Sequence, residues 1–467
     1  MASEPTTIPD PQPTAAPAGG QAAPGDLAAA ARALPSTGAQ DEVVELCRDL
    51  LMIDSTNRGN GDGFERAAAE YVAAKLAEVG LEPTLLESRP GRTSVVTRIA
   101  GTNPNRPPLL IHGHLDVVAA DPAEWTHHPF GGEEADGCLW GRGAIDMKDM
   151  DAMTLAVVRD LVRTGRKPPR DLVVAFVADE EAGGPLGAHW LVDNHADLFA
   201  DCTEAISEVG GFSYTVRDDL RLYLIQTAEK GMAWMKLTAK GRAGHGSMLN
   251  TDNAVTKLVE AVTRIGQHTF PVVLTPTVHQ FLDALGDALG IEMDYDDLPT
   301  TVAKLGGLAR MIGATISDTA NPTRLDAGHK VNVIPGEATA GIDGRFLPGR
   351  QEEFIRQIDE LIGPDIRREW VVLDRAVETP FDGPMVDAMA AALRAEDPGA
   401  RAVPYMLSGG TDAKSFSQLG IRCFGFSPLK LPADLDFSGM FHGVDERVPT
   451  EALRFGTRVL DRFLAAS

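Results

Sequence analysis

Apolar positions along the chain change period several times, and the changes mark out its elements. From Asp41 to Leu51 and from Arg66 to Val79 they recur at helical spacing, the second run ending at Gly80. Short β-branched runs follow near Leu85, at Ser94 to Ile99 and at Leu109 to Ile111, and read as strands. A Met/Leu/Val-striped helix is predicted from about Lys148 to Val162, then a buried strand at Leu172 to Val177 and another near Ala205 to Ile206. Helices alternating with strands in this way predict an α/β sheet covered on both faces. From about Thr227 the order changes to a strand (Met232 to Thr238), a helix (Ala254 to Ile265), a long segment of weak pattern and a strand pair around Val331 to Arg345. A further helix and strand follow. This predicts an α+β unit, residues 227–376, inserted into a domain made of 39–226 and 377–467.

Residues 1–38 read differently, with seven prolines among small and polar residues and only Leu27 to Leu34 looking helical. They have too few large apolar side chains to offset the entropy of ordering and are expected to form a disordered tail. A secretory signal needs an early basic region, whereas the first basic residue here is Arg32. The net charge of −24 disfavours nucleic acid and anionic membrane as partners. No run approaches the roughly 20 apolar residues of a spanning helix. Cys47, Cys138, Cys202 and Cys423 lie far apart without a CxxC, which fits a reducing cytoplasm better than a zinc knuckle or a disulfide framework.

Chemistry concentrates at the ends of the predicted strands. In His112-Gly113-His114-Leu115-Asp116, residues two apart project to one side, so His114 and Asp116 form either a ligand with its orienting carboxylate or a strand-end hydrogen-bonded pair. Asp146, in Gly141-Arg142-Gly143-Ala144-Ile145-Asp146, precedes a helix and reads by itself as a cap. Asp179-Glu180-Glu181 follows an apolar strand at the edge where α/β enzymes place their sites. Such a triplet is either a solvated loop or a set of carboxylates whose repulsion a divalent cation relieves. Glu208 lies just past another strand, and His442 sits far downstream in Phe441-His442-Gly443-Val444-Asp445-Glu446-Arg447.

The ordered set HGHLDVV, GRGAIDMKD, ADEEAGG, ISEVGG, GRAGHGS, NVIPG, GIDGRFLPG, SGGTDAKSF and FHGVDERV resembles the M20 family of metallopeptidases and amidohydrolases, from about residue 41 to the end. The family includes aminoacylase, carboxypeptidase G and succinyl-diaminopimelate desuccinylase. The resemblance implies a zinc-peptidase-like catalytic domain, a mixed sheet flanked by helices, with an inserted α+β lid or dimerisation domain. Carried over by position, it implies two divalent ions, zinc first, with cobalt or manganese tolerated. Asp146 would bridge them, His114 and Glu208 completing one position and Glu181 and His442 the other. Glu180 would be the general base for metal-activated water, Asp116 the carboxylate steering His114, and the peptide bond after Asp146 would be cis.

His245 matches a histidine that relatives use to stabilise the oxyanion, often across a dimer. Asn332 and Arg345 resemble the pair that grips a substrate carboxylate, for which a planar guanidinium is suited. Gly410 and Thr411 match the loop that offers backbone N–H groups to the same carboxylate, and Asp412 is either structural or a direct contact. The implied substrate is a small N-acyl amino acid or dipeptide, cleaved at its amide bond, with a homodimer through the lid. Alternatives are biosynthetic removal of a succinyl or acetyl group from a diamino acid, or a non-catalytic metal- or carboxylate-binding protein. The last predicts a lost base or ligand, and none is lost. About fifty residues between His268 and Arg324, including the acidic run Glu292 to Asp297, lengthen the lid relative to the compact family pattern and unsettle whether His245 acts in trans. His112, His127 and His128 are expected beside the site or on the surface, and Trp125 and Phe130 to form a wall or simply to pack.

Overall fold

The computed structural model describes residues 38–59, 61–303 and 312–467. Apart from Gly38, the predicted tail, with its Leu27 to Leu34 segment, lies outside the described residues. The first domain begins with α1 (Ala39–Leu51) and α2 (Arg66–Ala77), then β1 (Thr84–Arg89), β2 (Arg92–Ile99) and β3 (Leu109–His114). Next come α3 (Lys148–Thr164), β4 (Leu172–Val177), β5 (Glu204–Ser207), β6 (Phe212–Arg217) and β7 (Leu220–Glu229). The inserted unit holds β8 (Gly231–Lys240), α4 (Ala254–Gln267), α5 (Pro276–Leu289), β9 (Thr319–Ala327), β10 (Glu337–Phe346), α6 (Gln351–Ile362) and β11 (Ile366–Asp374). The chain then returns with α7 (Pro384–Glu396), β12 (Ala400–Leu407), β13 (Arg422–Gly425) and α8 (Thr450–Ala466).

The first domain is built on a mixed ten-stranded sheet in the order β1-β2-β4-β3-β5-β13-β7, with β6, β12 and Val377–Glu378 also pairing to β7. Its central strands β4, β3, β5 and β13 are parallel. β3 and β4 are buried along their whole length, as parallel strands covered on both faces require. On one face lies the main core, where α1, α3, α7 and α8 pack together. Helix α3 is buried continuously from Lys148 to Leu161, and ends at Gly165 in the left-handed region. Gly113, between the two histidines of β3, answers to this helix: a Cβ there would stand 2.3 Å from an Asp151 carboxylate oxygen. Ala188, Leu191 and Phe416 cover the opposite face.

The inserted sheet is antiparallel, in the order β9-β10-β8-β11, with α4 and α6 packing Leu258, Ala261, Ile265, Phe354 and Ile358 on it. The weakly patterned segment contains a helix, α5, that composition alone did not reveal. It starts with a Thr275 cap and Pro276 in its first turn and stops at Gly290, again left-handed. Its apolar face, Val278, Phe281, Leu282 and Leu285, packs with Leu222, Leu224 and Val403 of the large sheet rather than on the inserted one. Part of the segment read as extra lid is therefore a cover for β7 and β12. Among the described residues no helix is long and apolar enough to cross a membrane, and all four cysteines are unpaired.

Candidate metal centre

Three neighbouring strand ends begin the site. β3 runs parallel to β4 in register from Leu109 opposite Leu172 to His114 opposite Val177, and parallel to β5 from Leu109 opposite Glu204 to Ile111 opposite Ile206. His114 is therefore the last residue of β3, Glu180 and Glu181 follow β4 on a single helical turn, and Glu208 follows β5. All come together at one carboxyl edge, where open α/β sheets place their ligands. Asp146 enters from the loop before α3 and His442 from the loop before the short strand Arg447–Pro449. The Asp146–Met147 peptide bond is cis, as the resemblance implies.

Asp146 divides its oxygens between the two histidines. Oδ1 lies 3.1 Å from His114 Nε2 and Oδ2 3.3 Å from His442 Nε2. Glu208 Oε2 stands 3.5 Å from His114 Nε2, and Glu181 Oε2 3.2 Å from His442 Nε2. Ligand atoms of His114, Asp146 and Glu181 come within 4.8 Å of one another, and so do those of His114, Glu180 and Glu208. The five positions implied by the resemblance thus lie together at this edge, with Asp146 between the two histidines; the two donor groups share His114, and His442 joins them through Asp146 and Glu181. Imidazole and carboxylate donors without thiolate suit zinc and also cobalt or manganese.

The electrostatics fit cations. Burial, reinforced by Glu208, pushes the Glu180 carboxyl well up, and burial together with Asp146 pushes up Glu181. Burial raises Glu208 to about 7 despite His114 beside it. The imidazoles move the other way from isolated buried histidines. For His114 burial disfavours the charged form, but Glu208 and Asp146 outweigh it and raise the ring well above its usual value. Hydrogen bonding to Asp146 and Glu181 lifts His442 to about 10. Repelling carboxylates and over-stabilised imidazolium groups are what a cluster shows when protons stand in for metal charge. Metal uptake is accordingly expected to displace protons. Calorimetric titration at pH 7 in buffers of different ionisation heat should record net proton release, with affinity falling as pH drops and the imidazoles hold their protons more firmly. Uptake without proton release at pH 7 would contradict this charge arrangement.

The resemblance implies that the Asp116 carboxylate steers His114, but the ring is held by the Asp116 backbone carbonyl, because the carboxylate is turned toward the Glu180 turn. His114 Nδ1 donates to the Asp116 carbonyl oxygen at 2.9 Å, which leaves Nε2 facing Asp146 and Glu208, while the Asp116 carboxylate is 3.7 Å from Nδ1. That carboxylate accepts the backbone N–H groups of Glu180 and Glu181, both at 3.1 Å, and so orients the turn that carries them. Asn57, which the motifs did not reveal, donates to Asp116 at 2.8 Å and to Asp179 at 3.0 Å. Arg92 ion-pairs Asp179 and Glu65 behind the same turn. Asp412 is buried close to the cluster, with burial holding its carboxyl well above the ordinary range.

The remaining predicted residues lie elsewhere. His245 is exposed on the ribbon Gly244–His245 with Val333–Ile334, its Nδ1 2.8 Å from Ser247 Oγ, and the Asn332 carbonyl accepts from Gly246. Arg345, on β10, is held in its plane by Asp343 at 2.7 and 3.2 Å. Thr411 turns its hydroxyl inward, donating to the buried Glu229 at 2.9 Å. A Cβ at Gly410 would fall 1.8 Å from the buried Lys414 ammonium, so a larger residue there would require the lysine's end to move. His112 packs on Phe416 with ring centroids 4.6 Å apart, and burial lowers it to about 3, so it stays neutral. His127 pairs with Glu133, and His128 accepts from Phe130 N, outside the cluster. Trp125 lies 5.2 Å from the Arg142 guanidinium.

Parallel strand ends and two loops therefore gather donors for divalent ions at the carboxyl edge of an α/β sheet, in a metal-dependent hydrolase acting on amide bonds. The chain belongs to peptidase family M20/M25/M40, whose model matches residues 110–466. It is 27% identical over 422 residues to the N-fatty-acyl-amino acid synthase/hydrolase PM20D1 of Xenopus tropicalis, covering 83% of this chain and 78% of that protein. It is 26% identical over 410 residues to aminoacylase-1 of Sus scrofa, covering 86% and 89%. Its fold is similar to that of the M20 family metallo-carboxypeptidase Sso-CP2 from Sulfolobus solfataricus, with a TM-score of 0.69 at 17% identity over 91% of this chain and 99% of that one.

Proposed function

We propose that the chain hydrolyses the amide bond of an N-acyl amino acid or short peptide with a free carboxylate, using two divalent ions, zinc in the first place. The observation that carries the reading is the division of Asp146 between His114 and His442, which supports two positions with one shared carboxylate. The similarity to an aminoacylase and to an N-fatty-acyl-amino acid hydrolase supports the N-acyl class. Ions held by His114, Asp146, Glu208, Glu181 and His442 would supply Lewis-acid polarisation of the carbonyl and acidification of water.

The chain's own residues do the rest. Glu180 and Glu181 diverge from one turn: Glu181 faces His442 at 3.2 Å, while Glu180 Oε2 points to the His114 side at 3.9 Å. Glu180 then takes the proton from water and passes it to the leaving amine. Arg345, with Asn332 beside the His245 ribbon, receives the substrate carboxylate, and the Gly410 loop closes that end. His245 is exposed on its ribbon, which fits a homodimer in which it serves the oxyanion of a partner's site.

The test is release of free amino acid from a panel of N-acyl amino acids and dipeptides, with zinc, cobalt or manganese returned to chelator-stripped protein. Metal-restored hydrolysis of one class is the expected result; silence across the panel with two ions bound would refute the substrate class. For the carboxylate end, Arg345→Ala is expected to raise KM for free-carboxylate substrates about tenfold or more, the worth of one charge-assisted contact. The same loss on amidated substrates would count against this assignment.

A further inference from the structure

We propose that Glu446 and Arg142 form a positioning pair that fastens the His442 loop to the Asp146 loop, so that the metal position completed by His442 depends on the pair more than the one completed by the strand-end ligands. The proposal rests on the two-ion reading above. His114 and Glu208 follow adjacent parallel strands and inherit their placement from the sheet. His442 has no such support: it sits in a loop with φ of 57° and its side chain is 57% exposed. Its distance from the Asp146 and Glu181 oxygens must be set by something other than regular structure.

Glu446 supplies it. Its carboxylate is fully buried, and Oε1 accepts from Ile145 N at 2.8 Å while Oε2 accepts from Gly143 N at 3.0 Å. These are backbone amides of the turn that leads into Asp146. Arg142, on that same turn, donates through Nη1 to Glu446 Oε2 at 2.5 Å and through Nη2 to the carbonyl of Gly443 at 2.8 Å, the residue after His442. Each loop thus places one charged side chain on the other loop's backbone. Gly141 N donates to the Glu446 carbonyl at 3.0 Å, and Arg447 pairs with Trp140 in a short antiparallel strand. None of these contacts involves His114 or Glu208. Because metal–ligand distances tolerate only a few tenths of an ångström, a shift of the His442 loop is felt at Asp146, Glu181 and His442 before it is felt at the strand ends.

The test is metal titration of the full, chelator-stripped chain with zinc against a chromophoric chelator, and with cobalt by its visible absorption. Wild type is expected to bind two ions. Glu446→Gln is expected to weaken one of them by about 10- to 100-fold, as loss of an outer partner does, and to weaken the other, which shares only Asp146 with it, distinctly less. Arg142→Lys keeps the buried charge but cannot hold Glu446 and Gly443 together, and is expected to weaken the same ion. Should Glu446→Gln lower the melting temperature of the metal-free chain, Arg142→Lys carries the comparison. Two ions weakened equally, or neither weakened, would overturn the proposal while leaving the two-ion reading intact. A single ion on wild type would overturn both.

Discussion

Glu180→Gln is expected to lower kcat by about 10²- to 10⁴-fold, the usual contribution of a positioned general base, with two ions still bound and KM little changed. The change is close to isosteric and removes only the capacity to accept a proton. Glu180 is partly buried near Glu208, and its carboxyl is pushed well up by desolvation and by that neighbour, so the amide removes a group whose charged form its surroundings disfavour. The metal-free variant is therefore expected to be no less stable than wild type at pH 7. Glu181→Gln makes the contrast. Glu181 lies 3.2 Å from His442, and its amide should weaken metal binding before it affects turnover of the fully loaded enzyme. Metal analysis beside steady-state kinetics separates the two. Full activity with full metal content in Glu180→Gln would remove the residue from the base's role, and metal loss in that variant like that in Glu181→Gln would make it a ligand.

The separate roles of the two glutamates come only from the family resemblance, whereas the Asp179-Glu180-Glu181 triplet was legible as a candidate site because a strand emptying into acids is a local pattern. The same holds for β3 and β4, whose apolar runs announce strands buried on both faces. Elements without a local period were missed. β9 is an edge strand exposed at seven successive positions from Asn321 to Ala327, and contains Pro322, so it offers no alternation to read. Helix α5 has helical spacing, but sits among acidic turns that dilute it. In the site, residue types were legible and their hydrogen bonds were not. Asn57 reaches Asp116 across 59 positions and Arg142 reaches Glu446 across 304. Contacts of that span leave no period in the sequence; only the fold brings them together. Asp116 shows the same limit, since which of its oxygens meets His114 depends on where the Glu180 turn lies.

The largest stability effect is expected from Arg92→Met. Arg92 and Glu65 are almost completely buried and 3.1 Å apart, with Asp179 on the same guanidinium nitrogen. Removing the arginine leaves Asp179, and Glu65 wherever it is ionised, without their cation, a loss of about 3–5 kcal/mol where one partner of such a pair is deleted. The pH dependence gives the mechanism. Burial, with Asp116 adding to it and Arg92 opposing it, already raises Glu65 to about 8. A carboxyl raised in the folded state contributes stability that is full below the unfolded value near 4 and is lost as pH rises through the folded one. Without Arg92 that folded value rises further, so urea unfolding should show the variant's deficit growing from pH 5 to pH 9. Adding Glu65→Gln to Arg92→Met should recover part of the loss, most at pH 9, because one uncompensated charge is gone. A deficit that is the same at both pH values and untouched by Glu65→Gln would mean that Arg92 supports the fold by packing rather than by charge. Since Asp179 lies at the start of the Glu180 turn and shares Asn57 with Asp116, activity in Arg92→Met should fall at pH values where the variant is still fully folded.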